Sequence, residues 1–218
     1  IRNGWFSFRW TQIFDMGRIP SEQIVLKARQ PEPGSQKAFA PAPVKEVVAA
    51  ILEQKPAVVF APQVETSAGM LLPDDYLREV AAAVREVDGL FVVDAIAAGT
   101  LWVDMGALGI DIVVSAPQKG WSGSPCAGLV MLGERARARI DGTTSTSYAA
   151  DLKKWLQIME AYENGGHAYH ATLPTDALTK LRDVMLETER YGFDKVKANQ
   201  IELGRQIRAL LEAKGFDS

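Results

Sequence analysis

Short runs of apolar, often β-branched residues recur along the chain, and none of them alternates regularly with polar residues. These runs lie at residues 24–26, 58–60, 90–93, 112–114 and 129–132. A strand that is buried on both faces has this continuous apolar character, whereas a strand with one face in water alternates. The pattern therefore predicts a buried strand at each of these places.

Between the strands, apolar residues return every three or four positions, as on one face of a helix. One such series, which ends before Pro56, comprises Val44, Val47, Val48, Ile51 and Leu52. A second series, which ends at Gly89, comprises Tyr76, Leu77, Val80, Val84 and Val87. Further helices are predicted at 149–163, 175–191 and 193–214, and the segment 29–43, rich in Pro, Ala and Gln, is predicted to be a loop.

The alternation of strands and helices predicts an α/β fold with three layers. Because two parallel strands need a connection of helix length, the expected sheet is mainly parallel and is covered by helices on both faces. Residues 1–178 are expected to form part of one large domain, and residues 179–218 a helical arm that leads into a second, smaller domain. Ligands of such sheets bind beyond the carboxyl ends of the strands.

Composition narrows the classes of function. With 47% hydrophobic and 23% charged residues, the 218-residue chain has enough apolar material for a full core. A formal net charge of -3 gives no basic surplus for nucleic acid, and no apolar run approaches the roughly 20 residues that span a bilayer. The chain has one cysteine, Cys126, and two histidines, so neither an intrachain disulfide nor a recognisable metal site is expected, and a reducing cytoplasm is the predicted location.

Two ionisable residues follow neighbouring strands of the predicted sheet. Asp94 comes directly after LFVV, and Lys119 follows IVVSAPQ. Asp94 is either a cap of the next turn or a counter-ion for a cationic ligand. Lys119 is either a solvated loop cation or an amine placed for chemistry, and its small neighbours Gly120, Ser122, Gly123 and Ser124 would let a ligand approach the backbone.

An amine for an aldehyde and a carboxylate for a ring nitrogen are the groups that pyridoxal phosphate requires. The stretch VVDAIAAGTLWVDMGALGIDIVVSAPQKG combines a strand ending in Asp, then G-I-D-I, then S-x-x-Q-K. In this combination it resembles the core of the class V aminotransferases, fold type I pyridoxal-phosphate enzymes that include alanine-glyoxylate, serine-glyoxylate and serine-pyruvate aminotransferases.

The resemblance implies a set of cofactor-binding residues. Lys119 would form the Schiff base with pyridoxal 5'-phosphate, and Asp94 would hold the ring nitrogen protonated. Ile96 would pack against the face of the ring, and Gln118 would contact the phosphate. Thr66, within VETSAG, falls where the family has a hydroxyl close to the cofactor.

Two further segments are similar to the family. In GGHAYHATLP, the resemblance implies that Tyr169 and Thr172 reach the phosphate of the neighbouring subunit's cofactor, which predicts a homodimer. RNGWFSFRW is similar to a structural segment in which Asn3 and Gly4 shape a turn. The tryptophans at 102, 121 and 155 are expected to serve packing.

The implied activity is that of an aminotransferase that moves an amino group from a small amino acid of the alanine or serine type to glyoxylate or pyruvate. Lys119 would also move the proton between the substrate and the cofactor. The donor stays open between alanine, serine and an amine with a phosphonate group. The family's phosphate-binding glycine-rich turn, its stacking aromatic ring and its carboxylate-binding arginine are expected outside residues 1–218, so the chain is interpreted as an internal fragment.

Other functions stay open beside this one. A lyase or desulfurase of the same fold type is the nearest alternative, and a truncated fragment that only oligomerises is another. A nucleotide-binding oxidoreductase would need G-x-G-x-x-G, but the chain contains no G-x-G. An α/β-hydrolase would need G-x-S-x-G, whereas GWSGS has a different spacing.

Overall fold

The computed structural model describes residues 1–32, 34 and 37–216. Its helices are α1 (Phe8–Gly17), α2 (Val44–Gln54), α3 (Asp74–Glu86), α4 (Met105–Leu108), α5 (Glu134–Ile140), α6 (Leu152–Glu163), α7 (Thr175–Tyr191) and α8 (Phe193–Glu212). Its strands are β1 (Val58–Pro62), β2 (Val64–Glu65), β3 (Met70–Leu71), β4 (Leu90–Asp94), β5 (Ile112–Ser115) and β6 (Leu129–Leu132). A short 3₁₀ helix, Thr66–Ala68, connects β2 and β3.

The main sheet has the strand order β1-β4-β5-β6. Strands β1, β4 and β5 are parallel, and β6 is the outermost strand and pairs antiparallel with β5. In the register, Asp94 is opposite Pro62 on one side and Val114 on the other, so the carboxyl ends of the three parallel strands meet at one edge. The prediction of an α/β fold with a mainly parallel sheet is confirmed.

The core lies between one face of the sheet and the helices α2 and α3. Leu77, Val80 and Val84 recur at helical spacing on α3 and have no solvent exposure. They pack in one cluster with Phe91 and Val93 of β4. Burial of each such side chain stabilises the fold by about 1.5–3 kcal/mol, and the apolar periodicity of α3 therefore fixes which side of the helix faces the sheet.

Helix α1 covers part of the opposite face of the sheet. The ring of Trp10 lies 4.5 Å from that of Phe60 on β1, and the ring of Phe14 lies 5.0 Å from it. Phe60 points away from α2 and α3 because side chains alternate along a strand. Helices thus lie on both faces, as the sequence predicts, although α1 itself was not among the predicted helices.

A buried ion pair explains the aspartate of the G-I-D-I segment. Asp111 accepts the backbone N–H of Phe91 at 2.8 Å and the guanidinium of Arg135 at 3.0 Å. Arg135 also donates to the carbonyl oxygen of Gly89 at 2.8 Å. This carboxylate therefore ties the start of β4 to α5 and has a structural role.

The prediction of a strand at residues 24–26 is wrong. The structure has there an isolated parallel bridge between Arg2 and Lys27, with hydrogen bonds from Arg2 to Leu26 and from Ala28 to Arg2. Ile24 is 48% exposed, so its apolar character does not reflect burial in the sheet. Four short elements were also missed, α4, α5, β2 and β3, because each is too short to show a clear period.

Residues 175–191 form one continuous helix, α7, across the boundary predicted after residue 178. The division into a large domain and a helical arm stays a prediction.

Of the helices in the described residues, none has both the length and the apolar character that crossing a bilayer requires. Cys126 is free, and the cytoplasmic location also stays a prediction.

Candidate cofactor site

The candidate site lies where the chain leaves β1, β4 and β5. Gln63, just after β1, donates its backbone N–H to the carbonyl oxygen of Asp94 at 2.8 Å, and its side chain donates to Leu101 at 2.8 Å. On the other side, the backbone N–H of Ala95 donates to Val114 at 2.9 Å. The segment that follows β4 is therefore hydrogen-bonded to Gln63, after β1, on one side and to β5 on the other.

Asp94 ends β4 with a carboxylate that is only partly accessible. Its Oδ1 accepts the backbone N–H of Ile96 at 3.0 Å, and its Oδ2 accepts the indole N–H of Trp10 at 3.1 Å. Burial raises the pKa of Asp94, the hydrogen bonds from Ile96 and Trp10 oppose that rise, and the charge of Glu65 adds to it. An acid in this position gains from a cationic partner, such as the protonated nitrogen of a ring.

Lys119 lies on a tight turn after β5. The backbone N–H of Ser122 donates to the Lys119 carbonyl oxygen at 2.9 Å, and that of Gly123 donates to Pro117 at 2.9 Å. The side chain of Lys119 is exposed, and within residues 1–32, 34 and 37–216 no hydrogen bond or ion pair engages its amine. The amine is therefore available to a ligand.

Gly120 joins the lysine turn to the segment that follows Asp94. A Cβ atom at Gly120 would lie 1.9 Å from the carbonyl oxygen of Gly99, a distance at which the two backbones would have to move apart. Here the structure differs from the sequence interpretation, which took Gly120 as space for a ligand. The glycine instead allows a close backbone contact that sets the position of Lys119 relative to Asp94.

The other predicted residues on this edge are spread over three connections. Ile96 is half-buried beside Asp94, Gln118 is exposed next to Lys119, and Thr66 is exposed at the start of the 3₁₀ helix after β2. Their side chains offer one apolar surface, one amide and one hydroxyl. These are groups that suit a ring face and a phosphate, so the donor set fits pyridoxal 5'-phosphate.

Glu65 is a buried carboxylate that the sequence interpretation did not single out. Its Oε2 accepts the backbone N–H of Ser7 at 2.9 Å and the Ser7 hydroxyl at 2.7 Å. Its Oε1 accepts the backbone N–H of Phe6 at 3.1 Å and the Ser67 hydroxyl at 2.7 Å. Glu65 thus fastens the turn before α1 to the segment that carries Thr66.

The turn before α1 is formed as the sequence predicts. Gly4 lies close to the segment that carries Thr66 and Ser67. A Cβ atom at Gly4 would be 2.4 Å from Oγ of Ser67. The backbone N–H of Asn3 donates to the Ser7 hydroxyl at 2.8 Å. A larger residue at position 4 would push the two segments apart.

Tyr169 and Thr172 lie between α6 and α7. Their hydroxyl oxygens are 3.0 Å apart, and Tyr169 is 77% exposed. In the part of the chain that the structure describes, neither hydroxyl is hydrogen-bonded to Asp94, Thr66 or Lys119. One copy of the chain, as far as it is described, therefore does not link this pair to those three residues by hydrogen bonds.

Three of the tryptophans form packing contacts. Trp102 and Trp121 lie 4.7 Å apart between ring centres, and both contact Phe193 at the start of α8. The ring of Trp155 lies 5.2 Å from that of His170, and its indole N–H donates to the Ala149 carbonyl oxygen at 2.8 Å. Trp10 contacts the candidate site through Asp94, and its position in RNGWFSFRW was the signal that could have found it.

A family model described as aminotransferase class-V matches residues 41–216. That range includes Asp94 and Lys119 and makes up most of the chain. The chain belongs to the class V aminotransferase family. Pyridoxal 5'-phosphate, which the sequence resemblance implied, is the cofactor that this membership implies as well.

Curated relatives of this class V aminotransferase chain carry aminotransferase names. An alanine-glyoxylate aminotransferase from Felis catus is 27% identical over 177 residues, which cover 79% of the chain and 42% of the relative. A 2-aminoethylphosphonate-pyruvate transaminase from Vibrio cholerae is 28% identical over 218 residues, which cover 96% of the chain and 54% of the relative. The chain spans about half the length of these relatives.

Solved structures support the fold of this class V aminotransferase chain. An alanine-glyoxylate aminotransferase from Nostoc sp. superposes with a TM-score of 0.76 at 23% identity, covering 98% of the chain and 53% of that protein. A ureidoglycine-glyoxylate aminotransferase from Bacillus subtilis gives a TM-score of 0.68 at 25% identity, covering 89% of the chain and 47% of that protein. The predicted fold type is thus confirmed.

Proposed function

We propose that this chain holds pyridoxal 5'-phosphate between Lys119 and Asp94 as part of an aminotransferase. The observation that carries the proposal is the register of β4 and β5, in which Asp94 is opposite Val114 and Lys119 follows five residues later on a turn held against Gly99. An amine and a carboxylate are thereby anchored to neighbouring parallel strands, at the edge of the sheet where ligands bind.

The two residues have different tasks. When bound, the cofactor supplies an aldehyde that takes up an amino group and a ring that withdraws electrons. Asp94 keeps a proton on the ring nitrogen, because a half-buried carboxylate gains most from a cationic neighbour. Lys119 would hold the cofactor through its amine and, when that amine is free, would serve as the base that takes the proton from the substrate α-carbon and as the acid that gives it back.

The surrounding residues orient the cofactor. Ile96 would pack against the face of the ring, while its backbone N–H holds Oδ1 of Asp94. The hydroxyl of Thr66 and the amide of Gln118 would donate to the phosphate. Each is a neutral donor on a short connection, and donors of this kind bind a phosphate without adding a competing positive charge near Lys119.

The substrates proposed are a small amino acid of the alanine or serine type and glyoxylate or pyruvate. Alanine, glyoxylate and pyruvate occur in the names of relatives that match 79% and 96% of the chain. The second of these relatives is named for 2-aminoethylphosphonate, so this amine is the donor to compare with alanine and serine. Rates with the three donors, measured at equal concentration with each acceptor, rank the substrates directly.

Borohydride reduction tests the lysine. The purified chain is incubated with an equimolar amount of pyridoxal 5'-phosphate, reduced and digested, and the peptides are mapped by mass spectrometry. We expect one pyridoxyl group per chain, on Lys119, because Asp94 and the phosphate donors hold the cofactor beside that amine. Asp94→Ala should lower the labelling of Lys119 several-fold.

Lys45 provides the internal comparison for this labelling. It is an exposed lysine of α2, on a helix that covers the core rather than the strand ends. Labelling spread evenly over Lys45, Lys119 and the other surface lysines would contradict the proposal, and so would a single label on any other lysine.

We also propose that the active form is a homodimer with a shared site. The resemblance gives Tyr169 and Thr172 a role toward a second subunit's phosphate, and the exposure of Tyr169 and the distance between the two hydroxyls support it. Light scattering with cofactor present is expected to give twice the mass of one chain. A single-chain mass at all micromolar concentrations would contradict the shared site.

A further inference from the structure

Trp10 contacts the carboxylate at the centre of the candidate site. Its indole N–H donates to Oδ2 of Asp94 at 3.1 Å, a bond between residues 84 positions apart in the chain. Trp10 lies on α1, whereas Asp94 is the last residue of β4, and α2, β1 and α3 come between them in the sequence. No regularity of the sequence requires this contact, so the fold itself brings the donor to the acid.

The position of the indole is set by packing on two sides. Its ring lies 4.5 Å from that of Phe60 and 6.1 Å from that of Phe14, both measured between ring centres. The start of α1 is fastened by Glu65, which accepts the backbone N–H groups of Phe6 and Ser7. Packing on both rings and the anchored start of α1 therefore place the Trp10 indole beside Asp94.

The geometry leaves Asp94 able to bind one more donor. A carboxylate has about four acceptor positions on its two oxygens. The backbone N–H of Ile96 takes one on Oδ1, and Trp10 takes one on Oδ2. These two bonds fix the plane of the carboxylate, and no other donor among residues 1–32, 34 and 37–216 bonds to either oxygen.

We propose that Trp10 is a positioning residue that orients Asp94 and keeps it ionised for the cofactor's ring nitrogen. This inference rests on the proposed function, since it assumes that Asp94 meets that nitrogen. A hydrogen bond to the charged form of an acid favours that form, and a fixed acceptor loses less entropy when its ligand arrives. Trp10 thus acts through Asp94 and does not itself touch the reacting atoms.

The test replaces the donor and keeps the ring. Trp10→Phe retains an aromatic ring against Phe60 and removes the N–H. The Asp94 carboxyl is titrated by ¹³C NMR in the protein without cofactor, and we expect its pKa to rise. The charged group that acts on Asp94 is Glu65 on β2, which already raises the pKa, so it cannot replace the lost donor.

The second readout is cofactor affinity. We expect the dissociation constant of pyridoxal 5'-phosphate, from the visible absorption of the bound form, to rise about tenfold, which is the usual effect of losing one hydrogen bond to a charged group. The matched control is Trp155→Phe, which removes an indole that donates to the Ala149 carbonyl instead. This control should change neither the Asp94 titration nor the affinity.

Each outcome decides the matter. An unchanged Asp94 pKa in Trp10→Phe would overturn the inference, and so would a raised pKa with unchanged affinity. Failure of borohydride to label Lys119 in the unaltered chain would instead remove the proposed function, and the inference with it. The NMR titration needs no cofactor and therefore distinguishes an ineffective Trp10 from a misassigned site.

Discussion

Replacing Lys119 with alanine is expected to abolish transamination, with kcat/KM reduced by more than about 1000-fold. In the proposed function Lys119 both holds the cofactor and moves the proton, and positioned proton transfer alone contributes roughly 100-fold to 10,000-fold. The rate is measured with alanine as donor and glyoxylate as acceptor, in protein supplied with pyridoxal 5'-phosphate.

The same variant should leave stability nearly unchanged. Lys119 is exposed and its amine makes no hydrogen bond or ion pair within the described part of the chain, so its removal breaks no polar interaction. A shift in thermal midpoint would therefore indicate that the lysine supports the turn. Lys45→Ala, a matched change of another exposed lysine, should retain the full rate. Substantial activity in Lys119→Ala would exclude this residue as the cofactor lysine.

The placement of Asp94 and Lys119 could be predicted because it depends on a local pattern and one topological rule. Each follows a short apolar run, and such runs become the strands β4 and β5. Parallel neighbours bring their carboxyl ends together, whatever the details of the helices between them. Correct recognition of two strands was therefore enough to predict that the two residues lie on the same edge.

The parts that could not be predicted depend on contacts between distant segments. The bond from Trp10 to Asp94 joins α1 to β4, and Gly120 meets Gly99 through backbone atoms that leave no trace in hydropathy. The burial of Glu65 could not be predicted either, because an acid in a polar segment such as VETSAG gives no sign that it will be buried. Such contacts arise only when packing has set the helices and strands in place.

The largest effect on stability is expected from Glu65→Gln. Glu65 is 1% exposed and accepts hydrogen bonds from Phe6, Ser7 and Ser67. In the variant an amide NH₂ would replace one carboxylate oxygen. This NH₂ cannot accept the hydrogen bonds that the oxygen accepted, so it would meet the same N–H and O–H donors without bonding to them. Hydrogen bonds to charged groups are each worth about 1.5–3 kcal/mol, so we expect the free energy of unfolding to fall by about 3 kcal/mol or more.

Chemical denaturation measures this loss, and Glu46→Gln is its control. Glu46 pairs with Arg29 on the surface, and both side chains are more than half exposed. A surface pair of this kind contributes about 0–1 kcal/mol, so the control should lose little. If the two variants were equally stable, the network around Glu65 would not be a determinant of the fold.

The pH dependence gives a sharper form of the same prediction. Burial raises the pKa of Glu65, but the hydrogen bonds from Ser7, Ser67 and Phe6 outweigh it, and the net pKa is below the ordinary value. A folded-state pKa that is lowered gives stability that is complete above the unfolded-state pKa of about 4.3 and is lost as the pH falls toward the lowered value. The unaltered chain should therefore lose stability below about pH 4 more steeply than Glu65→Gln, which has no carboxylate to protonate there.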